Sequence, residues 1–402
     1  MVDKNLFLHD LAVVAILKDE GNYLKEWLDY HLLAGVEHFY LYDNDSTDNQ
    51  AEVAKPYVEA GLVDYFYLPG KAMQMVAYND AFKRFKFFNR YMAFIDLDEF
   101  IYPKSNRAIS EVVDEILSCD QNAAGLSFHW QIFGSNGHEI ADYSRGVLER
   151  FTRRAPSDDG INKFVKTIAD PRKIRFSQTM HFMYFFEPFY SVTEKLKLII
   201  NNVSLPIVTE KIVVNHYHAK SFEEYKVTKM RRGWPCGSEN PYSDKLFNTY
   251  DRNEVFDDGI LKYRAARAEK FSLESDAARF NRVTEALTET LSGAEFSLET
   301  ALTCRALSAY LCEHFPNDAD YWKICEEASV GAILKSLEGI NITDAQLLIR
   351  ELPNLLTLPY PAVKDLRNTT LQIISLMKNI YHLNYMWKDY IEMDYISDLL
   401  KE

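Results

Sequence analysis

Cysteine is scarce in this 402-residue chain: Cys119, Cys236, Cys304, Cys312 and Cys325 make five, an odd number with no Cys-x-x-Cys pair. That speaks against a disulfide framework and a thiolate zinc site, and favours a reducing compartment. Long apolar runs are missing too. No segment reaches the ~18 uninterrupted apolar residues of a spanning helix, and Leu6-Phe7-Leu8 is too short an apolar core for a signal peptide. The expectation is a cytoplasmic protein with no transmembrane segment, at most peripheral at the inner face of a membrane. Positive charge is also short. Lys and Arg number 45 against 59 Asp and Glu, a net charge of −14, which argues against nucleic acid as the main partner because phosphates need a basic surface. Internal repeats and low-complexity segments are lacking as well.

What the chain does have is aromatic bulk, 25 Tyr and 25 Phe, within an ordinary globular balance of 47% apolar and 26% charged residues. A length prior of roughly 100–200 residues per domain suggests two or three domains. The first hundred residues alternate strand and helix. Leu11 to Leu17 is a continuous apolar run that reads as a buried parallel strand, followed by Leu24, Trp27, Leu28 and Leu32 at helical spacing, with Gly35 past the helix end. Phe39–Tyr42, Val63–Phe66 and Tyr91–Ile95 read as further strands, and Gln74–Phe88 as a helix. This alternation predicts an α/β domain with a mainly parallel sheet. From Ser110 to Val214 the pattern is mixed, with Ile212-Val213-Val214 a short strand before Asn215-His216-Tyr217-His218. After it a helix carries Phe222, Tyr225 and Met230 and stops at Gly233-Trp234-Pro235. Beyond Asp251 the character turns helical: Ser272–Leu291, Leu298–Phe315, Ala345–Leu352 and Leu371–Leu400, with Thr343-Asp344-Ala345-Gln346 matching a capping box. The expected division is 1–250 for the α/β domain and 251–402 for a helical C-terminal domain.

Ligands of open α/β sheets bind beyond the carboxyl ends of the strands. Here three strands end in polar clusters: Lys18-Asp19-Glu20, Asp43-Asn44-Asp45 and Asp96-Leu97-Asp98-Glu99. Alternate strand residues share a side, so Asp96 and Asp98 are expected to face one ligand, and hard carboxylate oxygens suit Mg²⁺ or Mn²⁺ bound with substrate phosphates. His216 and His218 flank a tyrosine at another strand end, and an imidazole joining two carboxylates favours Mn²⁺. By themselves, Asp-x-Asp at a strand end can be a solvated turn and the histidines ordinary hydrogen-bonding residues.

Several blocks closely resemble glycosyltransferases of bacterial family 2-like and family 92-type sequences. They are Val14–Glu20, Leu24–His31, Gly35–Asp48, Asp96–Ile101, Trp130 with Phe133–Gly137, and Asn215–His218 with Lys220-Ser221. The resemblance spans roughly residues 10–235 and leaves out the helical tail. It implies a GT-A (Rossmann-like) nucleotide-sugar-binding domain followed by an α-helical domain, and an inverting transfer from a nucleoside-diphosphate sugar, by default a UDP-sugar. The acceptor would be a glycan or glycolipid of bacterial surface polysaccharide or lipopolysaccharide. By position, Lys18, Glu20, Asp43, Asn44 and Asp48 would line the nucleotide pocket, with Asp43 on the base or ribose, and Gln74 and Asn79 could also face the donor. Asp96 would contact ribose or metal-bound waters, Asp98 the metal, and His216 or, by preference, His218 would close the metal site. Glu187, Glu149, Asp142 and His181 lie where an acceptor-side base could arise, Glu187 leading because its aromatic neighbours could raise its pKa. The competing readings are an inactive scaffold that keeps the fold and a haloacid-dehalogenase-type phosphohydrolase. The latter's nucleophile motif resembles Asp96-Leu97-Asp98 but is followed by a small Gly-Thr-type turn, not Glu99-Phe100.

Overall fold

The computed structural model describes residues 2–231, 241–293, 296–338 and 340–384. They fall into two compact units, one running from His9 to Leu273 and one formed by the residues up to Leu8 with those from Glu274 on.

The first unit opens with β1 (His9–Leu17), α1 (Gly21–Leu33), β2 (His38–Asp43), α2 (Gln50–Glu59), β3 (Val63–Tyr67), α3 (Gln74–Phe85) and β4 (Asn89–Phe94). There follow β5 (Glu99–Pro103), α4 (Ile109–Leu117), β6 (Ala123–Ile132), α5 (Val147–Arg150), β7 (Arg153–Arg154), β8 (Val165–Ala169), β9 (Ile174–Ser177) and β10 (Met183–Phe185). The remainder is β11 (Tyr190–Val192), β12 (Leu198–Ile199), β13 (Ile212–His216), α6 (Phe222–Tyr225), α7 (Asp244–Tyr250), β14 (Val255–Phe256) and α8 (Gly259–Ala268). Strands pair in the order β12-β11-β6-β8-β4-β1-β2-β3, with β13 joining β6 to β5. β1, β2, β3 and β4 are mutually parallel; β8 is antiparallel to both β4 and β6, so β6 and its parallel partner β13 point the same way as β1. Their carboxyl ends therefore share one edge.

The apolar run of β1 is what a strand covered on both faces requires. Leu11, Val13, Ala15 and Leu17 enter a core shared with Trp27 and Leu28 of α1 and Val112 and Ile116 of α4. Ala12, Val14 and Ile16 enter the opposite core with Ala77, Tyr78 and Ala81 of α3. The period of two sorts one strand into two layers. At the end of α1, Gly35 has φ +97, and a Cβ there would lie 2.8 Å from that of Ala108, so both conformation and space demand glycine. Among the described residues β5 pairs only with β13, and α1 covers its other edge: Trp27 Nε1 and Tyr30 Oη each donate at 2.8 Å to the carbonyls of Glu99 and Ile101.

The second unit holds α9 (Asp276–Ser292), α10 (Leu298–His314), α11 (Ala319–Ser336), α12 (Ile342–Leu355) and α13 (Ala362–Asn384). The expected helices are present within the described residues, α11 in addition. The helix reading beyond residue 384 and the stop at Gly233-Trp234-Pro235 lie outside them. The cap of α12 is Asn341, whose Oδ1 accepts from the Asp344 amide at 2.9 Å, and not Thr343.

The unit boundary falls at 273/274, not at 250/251. α8 belongs with the sheet because Ile260 and Tyr263 are buried in its core and Arg267 Nε donates to the Leu33 carbonyl at 2.9 Å. The shift at Asp251 marks a change from strand to helix within one unit.

Candidate functional site

The sheet edge gathers the expected polar residues, and most of them hold loops together. After β1, Asp19 turns with φ +52, and its Oδ1 accepts from the Thr47 amide at 2.7 Å. Lys18 Nζ donates to the Asn44 carbonyl at 3.0 Å, and the Glu20 amide donates to Gln50 Oε1 at 3.2 Å. Asp43 is buried, accepting from the Ser46 amide at 2.9 Å and from Tyr65 Oη at 3.0 Å. Asn44 Nδ2 donates to the carbonyls of Leu68 and Gly70, both at 2.9 Å. Asp48 accepts from the amides of Gly21 at 2.8 Å and Gln50 at 3.1 Å. Asn79 ties α3 to β9, donating to the Ser177 carbonyl at 2.9 Å and accepting from its amide at 3.1 Å. Its side chain thus has a structural occupation.

Asp96-Leu97-Asp98 does not lie in a strand. β4 ends at Phe94 and β5 begins at Glu99, so the two aspartates occupy the turn between them and strand alternation is not what orients them. Asp96, 27% exposed, accepts from Gln74 Nε2 at 2.7 Å and from Lys166 Nζ at 2.8 Å. Lys166 is fully buried on β8 and also reaches Glu99 Oε2 at 3.1 Å. Burial opposes its charge, but Asp96 and then Glu99 hold the ammonium well above the usual lysine range. Burial pushes the Glu99 carboxyl up.

Asp98 faces the other way. Its Oδ2 accepts from Lys229 Nζ at 2.5 Å, and its Oδ1 lies 3.5 Å from His216 Nε2. Burial would raise this carboxyl, yet Lys229, followed by His216, holds it well below the usual carboxylate range. Lys229 comes from a π-helical stretch, Lys226–Met230, that continues α6. The amide of Tyr217 donates to the Asp98 carbonyl at 2.8 Å, registering the end of β13 on the turn. The rings of His216 and His218 have centroids 5.4 Å apart, edge to face. It is His216 that meets Asp98; His218 stacks on Tyr250 with centroids 4.1 Å apart, and burial, with Lys229 second, pushes its pKa well down.

The acceptor-side candidates fare differently. Glu187 is exposed, and the Phe186 amide bonds to the Lys173 carbonyl, in the turn after β8. That turn lies where β4 and β6 begin, so Glu187 stands at the sheet edge opposite the cluster, without the apolar setting expected of it. Glu149 is exposed beside Arg145 at 4.0 Å, and Asp142 is exposed, accepting from the Ser144 amide at 3.0 Å. Only His181 joins the cluster: its ring packs 5.1 Å from that of Trp130, which lies 4.4 Å from His216. Burial and then Lys166 push its pKa down to about 3, leaving a neutral ring with Nδ1 at 3.1 Å from the Val165 carbonyl.

Sequence reasoning missed the lysines. Lys166 had one signal, a cation amid the apolar residues of Val165–Ala169; Lys229 had none.

Among the described residues no group of three or more His, Cys, Asp or Glu side chains could hold a metal ion. Asp98 Oδ1 and His216 Nε2, at 3.5 Å, are nevertheless close enough to share one divalent ion at ~2.1 Å from each. The donor set thus fits an ion that arrives with phosphates, not one caged by protein alone.

A model of Glycosyltransferase family 92 matches residues 14–258. A family 92 protein of Ricinus communis is 23% identical over 227 residues, 56% of this chain and 38% of the relative. One from Oryza sativa subsp. japonica is 27% identical over 54% of this chain and 35% of its own length. The chain thus spans well under half of these relatives. A galactan beta-1,4-galactosyltransferase of Arabidopsis thaliana is 33% identical over 100 residues, 22% of this chain and 19% of that protein. Among solved structures, S. aureus TarS 1–349 in complex with UDP is 12% identical, covering 83% of this chain and 93% of that one, with a TM-score of 0.32.

Proposed function

Because the chain belongs to glycosyltransferase family 92, we propose that it transfers a sugar from a nucleoside-diphosphate sugar to a hydroxyl of a glycan or glycolipid acceptor. The carrying observation is the Asp98 carboxylate, buried between Lys229 and His216 at the edge where the parallel strands end. A leaving diphosphate develops negative charge, and catalysis of its departure is largely preorganised electrostatics. Lys229 and a divalent ion shared by Asp98 and His216 would meet that charge; when bound, the ion supplies Lewis-acid neutralisation. Asp96, fixed by Gln74 and Lys166, presents its partly exposed carboxylate to the donor's ribose. The loops tied by Asp43, Asn44 and Asp48 form the floor for the nucleotide.

The finer reading is an inverting transfer in the synthesis of a surface polysaccharide or lipopolysaccharide, with UDP as the nucleotide and Mn²⁺ or Mg²⁺ as the ion. The galactosyltransferase relative supports a hexose and a polysaccharide acceptor.

Calorimetric titration of UDP and GDP, with and without Mn²⁺, on wild type and Asp98→Ala tests this. Metal-dependent binding of one nucleotide, lost in the variant, is the expected result. Failure of wild type to bind either up to about millimolar concentration, a free energy weaker than about −4 kcal/mol, would remove the donor site from consideration.

A further inference from the structure

Three lysines lie close enough to act on the cluster's carboxylates, Lys220 on Asp98 among them, and two have carboxylate partners: Lys166 with Asp96 and Glu99, Lys229 with Asp98. The third, Lys220, is only 4% exposed, and among the described residues no carboxylate comes within ion-pair or hydrogen-bond distance of its ammonium, although Glu20 and Asp98 act on it from further off. Its close contact is the ring of Tyr23, 4.0 Å from Nζ to centroid. Glu224 does not serve it. That carboxylate is taken up by Arg150 at 2.7 and 2.8 Å, Ser221 Oγ at 2.6 Å and Tyr23 Oη at 3.0 Å. Lys220 also sits at φ +51, a left-handed conformation unusual for a side chain longer than Asn.

A nearly buried ammonium with no oxygen in hydrogen-bond reach is unfavourable unless something completes it, and neither a ring face nor carboxylates at longer range return all that water gave. We propose that Lys220 is a diphosphate-binding residue, its ammonium reserved for a phosphate oxygen of the donor. This rests on the donor-site reading above and adds to it a contact that neither Asp98 nor His216 supplies. A compact ammonium suits a phosphate as a point charge, and Tyr23 fixes its direction without neutralising it.

Lys220→Met keeps the length and unbranched shape while removing the charge. In the full-length chain, binding of UDP or GDP, whichever wild type takes, should weaken about 10- to 100-fold in the variant. Its melting temperature without nucleotide should equal or exceed that of wild type, because an uncompensated buried charge has gone. Unchanged nucleotide affinity would overturn the assignment while leaving the donor site standing. A variant that fails to fold, or melts several degrees lower, would overturn it too, by making Lys220 a structural cation. Wild type that binds neither nucleotide would remove the donor-site reading and this one together.

Discussion

His31, inside α1, shows what one side chain can decide. Its Nδ1 lies 2.8 Å from the Trp27 carbonyl and its Nε2 3.2 Å from the Ile101 amide, in a fully buried site. An N–H can only donate to the carbonyl, and the amide needs an acceptor, so the ring is neutral with its proton on Nδ1. Burial pushes its pKa down to about 3. The unfolded ring, near the ordinary value of about 6.5, then binds more protons than the folded one between these limits, so stability is lost as pH falls through that window. From pH 7 to pH 5 this group alone should remove ~2 kcal/mol. Urea unfolding at the two pH values checks it: the loss should be smaller in His31→Gln, and an equal loss in both would refute the assignment. At this scale the sequence made the carboxylates Asp96 and Asp98 legible, because acids closing an apolar strand are conspicuous. It did not reveal whether His216 or His218 meets Asp98, because β13 ends at His216 and the surroundings of the two rings choose.

Among the elements, Glu224 is the hub. Through Arg150, Ser221 and Tyr23 it joins α5, the start of α6 and α1 behind the cluster. Removing a buried carboxylate from such a pair leaves the guanidinium stranded, so Glu224→Ala should lose about 3–5 kcal/mol in chemical denaturation. A loss below about 1 kcal/mol would mean that solvent reaches Arg150 more freely than its burial implies. β1 was readable as a central strand because coverage on both faces demands apolar residues at every position. The turn between β4 and β5 was not, since Asp96 to Asp98 reads equally well as a strand end.

For the molecule as a whole, a net charge of −14 sets how it meets polyanions. At about 0.15 M salt, where the Debye length is about 8 Å, it should neither shift DNA in a gel nor stay on heparin. Retention there would reveal a basic face concentrated enough to outweigh the total. No helix among the described residues is long and apolar enough to cross a membrane. The change from strands to helices along the chain was legible in the sequence, and the described residues form two compact units. Their boundary was not legible, because α8 is a helix by local pattern and a member of the sheet unit by burial of Ile260 and Tyr263.

Local pattern determined the strand–helix alternation, the strand ends that gather polar residues at one edge, and the identity of the acids and histidines there. Periodicity and turn chemistry act over a few residues, so a linear reading captures them. The partners of those acids were decided only in three dimensions. Lys166 lies 70 positions from Asp96, and Lys229 lies 131 positions from Asp98. Nothing near either lysine in sequence announces its partner, because the pairing is made by the antiparallel insertion of β8 and by the continuation of α6 past the end of β13. Burial then gives each contact its weight: the same lysine in water would be a solvated charge, while at the sheet edge it fixes the state of a carboxylate.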